Sequence, residues 1–136
     1  LIKLDLKCKA PYKFIPEIYK YSSVEDRYEL IRGILDTDGS ISSSGHIELK
    51  TSSKKLAEDF MWVLRSLGIQ CRVGVLDMRN IPQKMHTGQI TYTEHIYYRV
   101  YVKTDKSVFK LKRKLDKIKP LKRKRKFQDI LFYALL

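Results

Sequence analysis

The sequence predicts an α+β domain in which helices cover one face of an antiparallel sheet, in the order αββαββα. Three observations support this fold class. Apolar residues recur at helical spacing in three segments, they alternate with polar residues in three others, and a Ser44-Gly45 turn indicates a hairpin. The chain has 136 residues, of which 43% are hydrophobic. That length and composition suit one domain with its own core.

The first helix is predicted to follow an extended arm at residues 1–21, where lysines alternate with apolar residues and two prolines interrupt the pattern. It begins after Ser22, which forms an S-x-x-E capping box with Glu25. Its apolar stripe comprises Val24, Tyr28, Ile31 and Leu35. Asp38-Gly39 ends the helix.

A hairpin with strands at 40–43 and 46–51 is expected next. The second helix begins after Ser52 or Ser53 and ends at Gly68. Its apolar stripe comprises Leu56, Phe60, Val63, Leu64 and Leu67.

Two longer strands, at 69–77 and 94–103, flank a polar loop at 78–93. A third helix is predicted over 105–118, and Pro120 ends it. All the strands share one pattern, with an apolar face toward the helices and a polar, cationic and aromatic face on the other side. A sheet covered on one side leaves its other side to solvent or to a ligand.

The charge is concentrated near the C-terminus. There are 28 Lys and Arg residues against 15 Asp and Glu, a net charge of +13, and residues 103–126 alone carry +11 of it. A basic block of this density favours a polyanionic partner, with nucleic acid as the first candidate. A solvated basic tail and contact with a membrane surface are the alternatives.

Double-stranded DNA is the partner we expect, bound by the polar sheet face and by the basic block. The predicted contact residues are His46, Glu48, Lys50, Arg72, Tyr97, Arg99, Tyr101, Lys103, Lys122, Arg123, Lys124 and Arg125. A membrane partner is not expected, because no apolar run approaches about 18 residues. The two cysteines form no CxxC pair, which favours a reducing compartment such as the cytoplasm, or a nucleoid, organelle or nucleus.

The strongest motif is Ile31-Arg-Gly-Ile-Leu-Asp-Thr-Asp-Gly39. It resembles the LAGLIDADG motif of homing endonucleases, and its context is similar too. Lys54-Lys-Leu-Ala-Glu-Asp-Phe60 resembles the start of the family's second helix, and Lys13-Phe-Ile-Pro16 resembles a block that precedes the second motif in intein endonucleases. The resemblance covers residues 11–126. It implies a saddle-like sheet in a single endonuclease domain at 22–126, preceded by the arm at 1–21 and followed by a tail at 127–136 with no assigned role.

The resemblance also implies roles for particular residues. Asp38 is expected to bind Mg²⁺ or another divalent cation, and Lys13 to stabilise negative charge in the transition state. The position of a second basic residue on the last strand holds His95, with Arg99 close by, where relatives have a lysine. Gly33 removes a side chain from the helix surface, so that two motif helices can pack together. Asp36 is expected at this helix–helix interface.

A single copy of the motif is present, whereas active sites in this family form between two motif helices. We therefore expect either a homodimer or the second half of a two-motif nuclease. Inteins need Cys or Ser at the first residue and end in His-Asn. The sequence begins at Leu1 and ends at Leu136, so we expect no splicing.

The sequence thus predicts a site-specific homing endonuclease domain of intein origin that hydrolyses phosphodiester bonds in DNA. A relative that has lost cleavage and acts as a DNA- or RNA-binding, maturase-like protein is the alternative. The single motif and the histidine at position 95 favour that alternative. A ribosome-associated basic protein would explain the charge and leave the motif unexplained.

Overall fold

The computed structural model describes residues 8–121 and confirms the α+β class. Residues 39–41, 47–51, 96–103 and 70–77 form a four-stranded antiparallel sheet, in that spatial order. In chain order the elements are a 3₁₀ turn (Ala10–Tyr12), α1 (Glu17–Lys20), α2 (Val24–Thr37), β1 (Gly39–Ile41), β2 (Ile47–Thr51), α3 (Lys54–Ser66), β3 (Gln70–Asp77), β4 (Gln83–Lys84), β5 (Ile90–Thr91), β6 (Ile96–Lys103) and α4 (Lys112–Leu115). Among these described elements no helix is long and apolar enough to cross a membrane.

The core lies between the inner face of the sheet and the helices α2 and α3. Alternate residues of β2 and β6 point inward, as their period of two predicts. The buried residues from these four elements include Ile31, Leu35, Ile47, Leu49, Phe60, Val63, Leu64, Val100 and Val102. This burial fixes which face of the sheet remains open, since every intervening residue of β2 and β6 must point away from the helices.

The starts of the two long helices are set by serine caps. Ser53 caps α3, and its Oγ accepts a hydrogen bond from the Leu56 amide at 3.0 Å. The predicted cap of α2 was wrong by one residue. Ser23, and not Ser22, accepts the Asp26 amide hydrogen bond, while the Ser22 hydroxyl donates to the Tyr19 carbonyl at the end of α1. Both serines have a hydroxyl that can cap a helix, so the residue type does not predict which of the two does so.

The predicted third helix over 105–118 was largely wrong, because only Lys112–Leu115 is helical. Val108 and Phe109 are both buried in the core, although the backbone around them is not helical. The backbone groups of this segment bond to α2 instead. The Ser107 carbonyl accepts from Arg32 Nε at 2.7 Å, and Asp36 accepts from the Lys110 amide at 3.1 Å.

Two further differences concern the polar loop and the arm. The loop at 78–93 contains the short hairpin β4–β5, closed by a turn in which Gly88 has φ +85°. The arm contains α1 where an extended chain was predicted, and Ile15 and Lys20 are buried against the rest of the domain. The segment that carries Lys13 is therefore part of the packed structure.

Candidate active site

Asp38 occupies the position at which the chain leaves α2 and enters β1. It is the C-cap residue of the helix, and its amide donates to the Ile34 carbonyl at 2.9 Å. The following residue has to be glycine, because a Cβ at position 39 would lie 2.7–2.8 Å from atoms of Leu35. This tight exit leaves the Asp38 carboxylate 56% exposed at the end of the helix.

Lys13 lies opposite this carboxylate, although 25 positions separate the two residues in the chain. Its Nζ is 4.0 Å from Asp38 Oδ2, and its side chain is 48% exposed. The main chain around it is fixed on α3. The Lys13 carbonyl accepts a hydrogen bond from the Ser53 hydroxyl, and the Ile15 amide donates to Asp59 Oδ2 at 3.0 Å.

Asp59 is the buried anchor of this arrangement, with only 2% of its side chain exposed. Besides the Ile15 amide, it accepts from Lys20 Nζ at 2.7 Å and from Lys55 Nζ at 2.8 Å. Burial by itself raises the pKa of the Asp59 carboxyl, but the hydrogen bonds from Lys20, Lys55 and Ile15 outweigh it and lower the pKa. The hydrogen bond to Asp59 in turn raises the pKa of Lys20.

A cavity of about 380 Å³ joins Asp38 and Lys13 to the outer face of the sheet. Lys50 from β2 and Tyr97 from β6 also line it, with Lys50 Nζ 4.3 Å from the centroid of the Tyr97 ring. Two ammonium groups, one carboxylate and one phenol therefore share a solvent-open cavity. Sequence reasoning assigned Lys50 to DNA contact alone. Its place beside Asp38 follows from the register of the β1–β2 hairpin, in which Gly39 pairs with Leu49.

His95 lies just before β6 and does not line this cavity. Its ring packs edge-on against Tyr97, with the ring centroids 6.2 Å apart. The structure therefore places Tyr97 between His95 and the cavity's two lysines. The structure therefore does not bring His95, a predicted catalytic residue, together with Asp38.

The outer face of the sheet carries the predicted contact residues of β2, β3 and β6. The strand register places Lys50 beside Arg99 and Arg72 beside Tyr101. The Arg72 guanidinium lies 4.3 Å from the centroid of the Tyr101 ring. The Nε of Arg99 is buried and has no hydrogen-bond partner among the described residues. Glu48, Tyr97, Tyr101 and Lys103 share this face.

The remaining predicted contact residues lie at one end of that face or beyond the described chain. His46 precedes β2, and its Nδ1 lies 2.8 Å from the Ser44 hydroxyl. Lys122, Arg123, Lys124 and Arg125 are outside the described residues. Leu121, the last described residue, lines a cavity together with His46, Arg72 and Lys103.

The two predicted interface residues of the motif differ in their surroundings. A Cβ added at Gly33 would meet no atom of residues 8–121 within 4 Å, so these residues leave this part of α2 open. Asp36 is engaged within the chain, because its carboxylate accepts hydrogen bonds from the backbone amides of Lys110 and Leu111. Of the two, Gly33 is the residue that leaves space for a second helix.

The donor set at Asp38 suits a hard cation bound in a shared site. The described residues contain no group of three His, Cys, Asp or Glu side chains close enough to hold a metal ion. Mg²⁺ is commonly bound by one or two carboxylates together with phosphate oxygens and water. A single exposed carboxylate beside a cationic face matches that mode of binding.

Two comparisons with known proteins relate to the chain. A family model described as "LAGLIDADG-like domain" matches residues 25–106, which is more than half of the sequence. A protein named replicative DNA helicase DnaB, from Mycobacterium intracellulare, is 31% identical over 102 residues. That match covers 75% of this chain and 16% of the helicase. The chain thus spans about one sixth of the length of that relative.

Proposed function

Because this chain belongs to the family of LAGLIDADG-like domains, we propose that it is the DNA-cleaving domain of a homing endonuclease. Its substrate is double-stranded DNA, and its reaction is the hydrolysis of phosphodiester bonds with Mg²⁺ or a similar divalent cation. One observation carries this proposal: Asp38, Lys13 and Lys50 come from three separate parts of the chain and meet at one cavity that opens onto a cationic sheet face.

Asp38 is the residue that would hold the metal ion. Its carboxylate is exposed, and its one ionic partner in the described chain is Lys13 at 4.0 Å, which is a loose pair. When bound, the metal ion supplies charge neutralisation and an activated water for phosphodiester hydrolysis. Asp38 is therefore the residue on which cleavage should depend most strongly.

Lys13 and Lys50 act on the phosphate itself. Both ammonium groups line the cavity, where they can donate hydrogen bonds to phosphate oxygens as negative charge grows in the transition state. The Tyr97 ring under Lys50 limits where that ammonium can lie. We assign the second basic role to Lys50, since His95 does not line the cavity.

The outer face of the sheet binds the DNA. Arg72 and Arg99 can donate to guanine edges in the major groove. The basic residues between 103 and 126, apart from the buried Lys114, contact phosphates, so affinity falls steeply as salt rises. This division assigns sequence preference to the sheet and general affinity to the basic block.

The complete site contains two motif helices. Gly33 leaves the surface of α2 open, and each chain contributes one Asp38 to a reaction that cuts two strands. The second helix comes from another copy of the chain or from the first half of a two-motif nuclease. Gly33→Leu places a large side chain where that helix would pack, and so should prevent assembly.

An intein origin accounts for the similarity to a helicase. The match to the DnaB protein is confined to 16% of its length. That is the pattern expected when an endonuclease domain is inserted in a longer host protein. The Lys13-Phe-Ile-Pro16 block, whose lysine faces Asp38, supports the same origin.

A second candidate is a relative that binds DNA or RNA without cutting it. The position of His95 favours it, because the strand that carries a catalytic lysine in intein relatives has none at the cavity here. Such a protein would retain the cationic sheet face and its salt-dependent binding.

Cleavage of a plasmid library carrying candidate sites distinguishes the two functions. The wild-type chain is incubated with Mg²⁺, with Ca²⁺ and with a chelator, and Asp38→Asn is purified in parallel as a control for contaminating nuclease. We expect nicked or linear DNA from the wild type with Mg²⁺ alone. Specific binding without any Mg²⁺-dependent product would replace the nuclease by the binding protein.

A further inference from the structure

Lys114 projects from α4 into the end of the motif helix α2. Only 9% of the residue is exposed. Its Nζ donates hydrogen bonds to three backbone carbonyls, those of Leu35 at 2.8 Å, Asp36 at 2.8 Å and Gly39 at 2.7 Å. One ammonium group thus uses all three of its donors on the main chain on both sides of Asp38.

These carbonyls need a partner for a physical reason. The last four carbonyls of an α-helix have no partner within the helix, and the negative end of the helix dipole lies there. The Ile34 carbonyl accepts from the Asp38 amide. Lys114 satisfies the carbonyls of Leu35 and Asp36, and it adds that of Gly39, where the chain has already turned into β1.

The contact is reciprocal. The Asp36 carboxylate accepts the backbone amides of Lys110 and Leu111, at the start of α4, while Lys114 of the same helix donates to the backbone around Asp36. The motif helix and α4 therefore hold one another through both a carboxylate and an ammonium group. Packing alone does not require these hydrogen bonds, because Val108 and Phe109 already bury this segment against the core.

We propose that Lys114 is a positioning residue for Asp38. By binding the carbonyls before and after that residue, it fixes the direction in which the carboxylate leaves the main chain. The proposal rests on the function given above, in which Asp38 holds a divalent cation. Residues that orient a metal ligand commonly change metal affinity or activity by about 10–100-fold when they are replaced.

The electrostatic effect of Lys114 has the opposite sign to its positioning effect. Burial, followed by the neighbouring Arg113, lowers the pKa of Lys114, and the carboxylates of Asp36 and Asp38 raise it. Lys114 therefore interacts with the charge on Asp38. Removing a nearby positive charge should by itself strengthen the binding of a cation at Asp38, so weaker binding would report lost position.

The test measures metal affinity directly, without relying on cleavage. Ca²⁺ is titrated calorimetrically into the complex of the full chain with its cleavable DNA site, for the wild type, Lys114→Met and Lys112→Met. Lys112 is the matched control, because it lies on the same helix and carries the same charge. Its side chain is 85% exposed and pairs with Asp116 in the described chain. Single-turnover cleavage at increasing Mg²⁺ is recorded in parallel.

We expect Lys114→Met to weaken Ca²⁺ binding by about 10–100-fold relative to Lys112→Met, and to raise the Mg²⁺ concentration needed for cleavage. DNA affinity should fall no more in Lys114→Met than in Lys112→Met, because the buried Lys114 ammonium already bonds to three backbone carbonyls. Should Lys114→Met fail to fold, Lys114→Gln is measured instead, since its amide can still donate to two carbonyls. It should weaken Ca²⁺ binding in the same direction.

Two results would overturn the proposal. If a folded Lys114 variant binds Ca²⁺ as tightly as Lys112→Met does, Lys114 has no positioning role. If it binds Ca²⁺ more tightly, Lys114 acts on the site only through its charge. The proposed function fails in a different way, because the wild-type complex then neither binds the metal ion nor cleaves DNA.

Discussion

Asp38 and Asp59 carry the same carboxylate in opposite settings. Asp38 is 56% exposed, and its nearest cation, Lys13, is 4.0 Å away. Asp59 is 2% exposed and accepts hydrogen bonds from two lysines and a backbone amide. The comparison separates two sets of charged groups: those packed behind the cavity, which we call the back of the site, and those that line the cavity, which we call its front. Behind it, charges are buried and fully bonded, so they hold the structure. In front, charges are loosely paired and available to a ligand.

The same contrast applies to the lysines. Lys20 and Lys114 are buried and bond to Asp59 and to backbone carbonyls. Lys13 and Lys50 line the cavity and point toward solvent. Substitutions behind the site should therefore change stability first, whereas substitutions in front should change binding or cleavage and leave the fold intact.

The largest effect on stability is expected for Asp59→Asn. The substitution leaves the Lys20 ammonium buried with Glu17 as its remaining ionic partner, and breaking a buried ion pair costs about 3–5 kcal/mol. Asp116→Asn is the control, because the exposed pair of Asp116 with Lys112 should contribute less than about 1 kcal/mol. Urea unfolding of both variants measures the difference. Equal midpoints would remove the distinction between the two kinds of charge.

In front of the site, Lys13→Ala should slow single-turnover cleavage by about 10²–10³-fold, the usual cost of losing one donor to transition-state charge. Lys50→Ala should act in the same direction, with binding largely retained. Lys54→Ala removes an exposed lysine of α3 that does not line the cavity, and it serves as the control. If all three variants cleave at the same rate, the cavity is not the place where the phosphate reacts.

A smaller effect is expected on the outer face. Arg72→Ala and Arg99→Ala should each weaken binding to preferred sites by about 1–3 kcal/mol if the residue contacts a guanine edge. Lys117→Ala should instead weaken binding to all sequences alike and reduce the salt dependence. Competition binding with specific and random duplexes separates these outcomes. A uniform loss in the arginine variants would place both residues on phosphates.

The smallest effect is a dependence of stability on pH. The pKa of Asp59 is lower in the folded chain than its unfolded value of about 3.9. Its stabilising contribution is therefore complete above that value and is lost as the pH falls through the folded pKa. Melting temperatures measured from about pH 5 down to about pH 2, a range that spans the unfolded pKa and extends below it, should fall less steeply on acidification in Asp59→Asn than in the wild type. Parallel curves would mean that Asp59 does not titrate with folding.

The sequence predicted the parts of the fold that repeat a local pattern. The stripe of α3 and the alternation in β6 are long and regular, and both elements were found within about two residues of their predicted ends. The segment at 104–111 was missed because its backbone hydrogen bonds go to Arg32 and Asp36 of α2. Such tertiary contacts leave no periodic signal in the sequence.

The site was predicted in part for the same reason. The motif pointed to Asp38 and the upstream block to Lys13. The predicted hairpin already brings the strand of Lys50 beside Asp38, but the sequence analysis assigned Lys50 to DNA contact alone. Asp59 did leave a signal, since an acidic residue stands within the apolar stripe between Leu56 and Val63. Lys114 left none, because it is one of many basic residues in its segment.

Asp38→Asn and Asp59→Asn, measured together for melting temperature and for Mg²⁺-dependent cleavage, test the division between front and back most directly. The account predicts that Asp38→Asn has the melting temperature of the wild type, binds DNA at least as tightly as the wild type and does not cleave it. It predicts that Asp59→Asn melts at a lower temperature and still cleaves below it. An Asp38→Asn variant that cleaves as fast as the wild type would contradict the account.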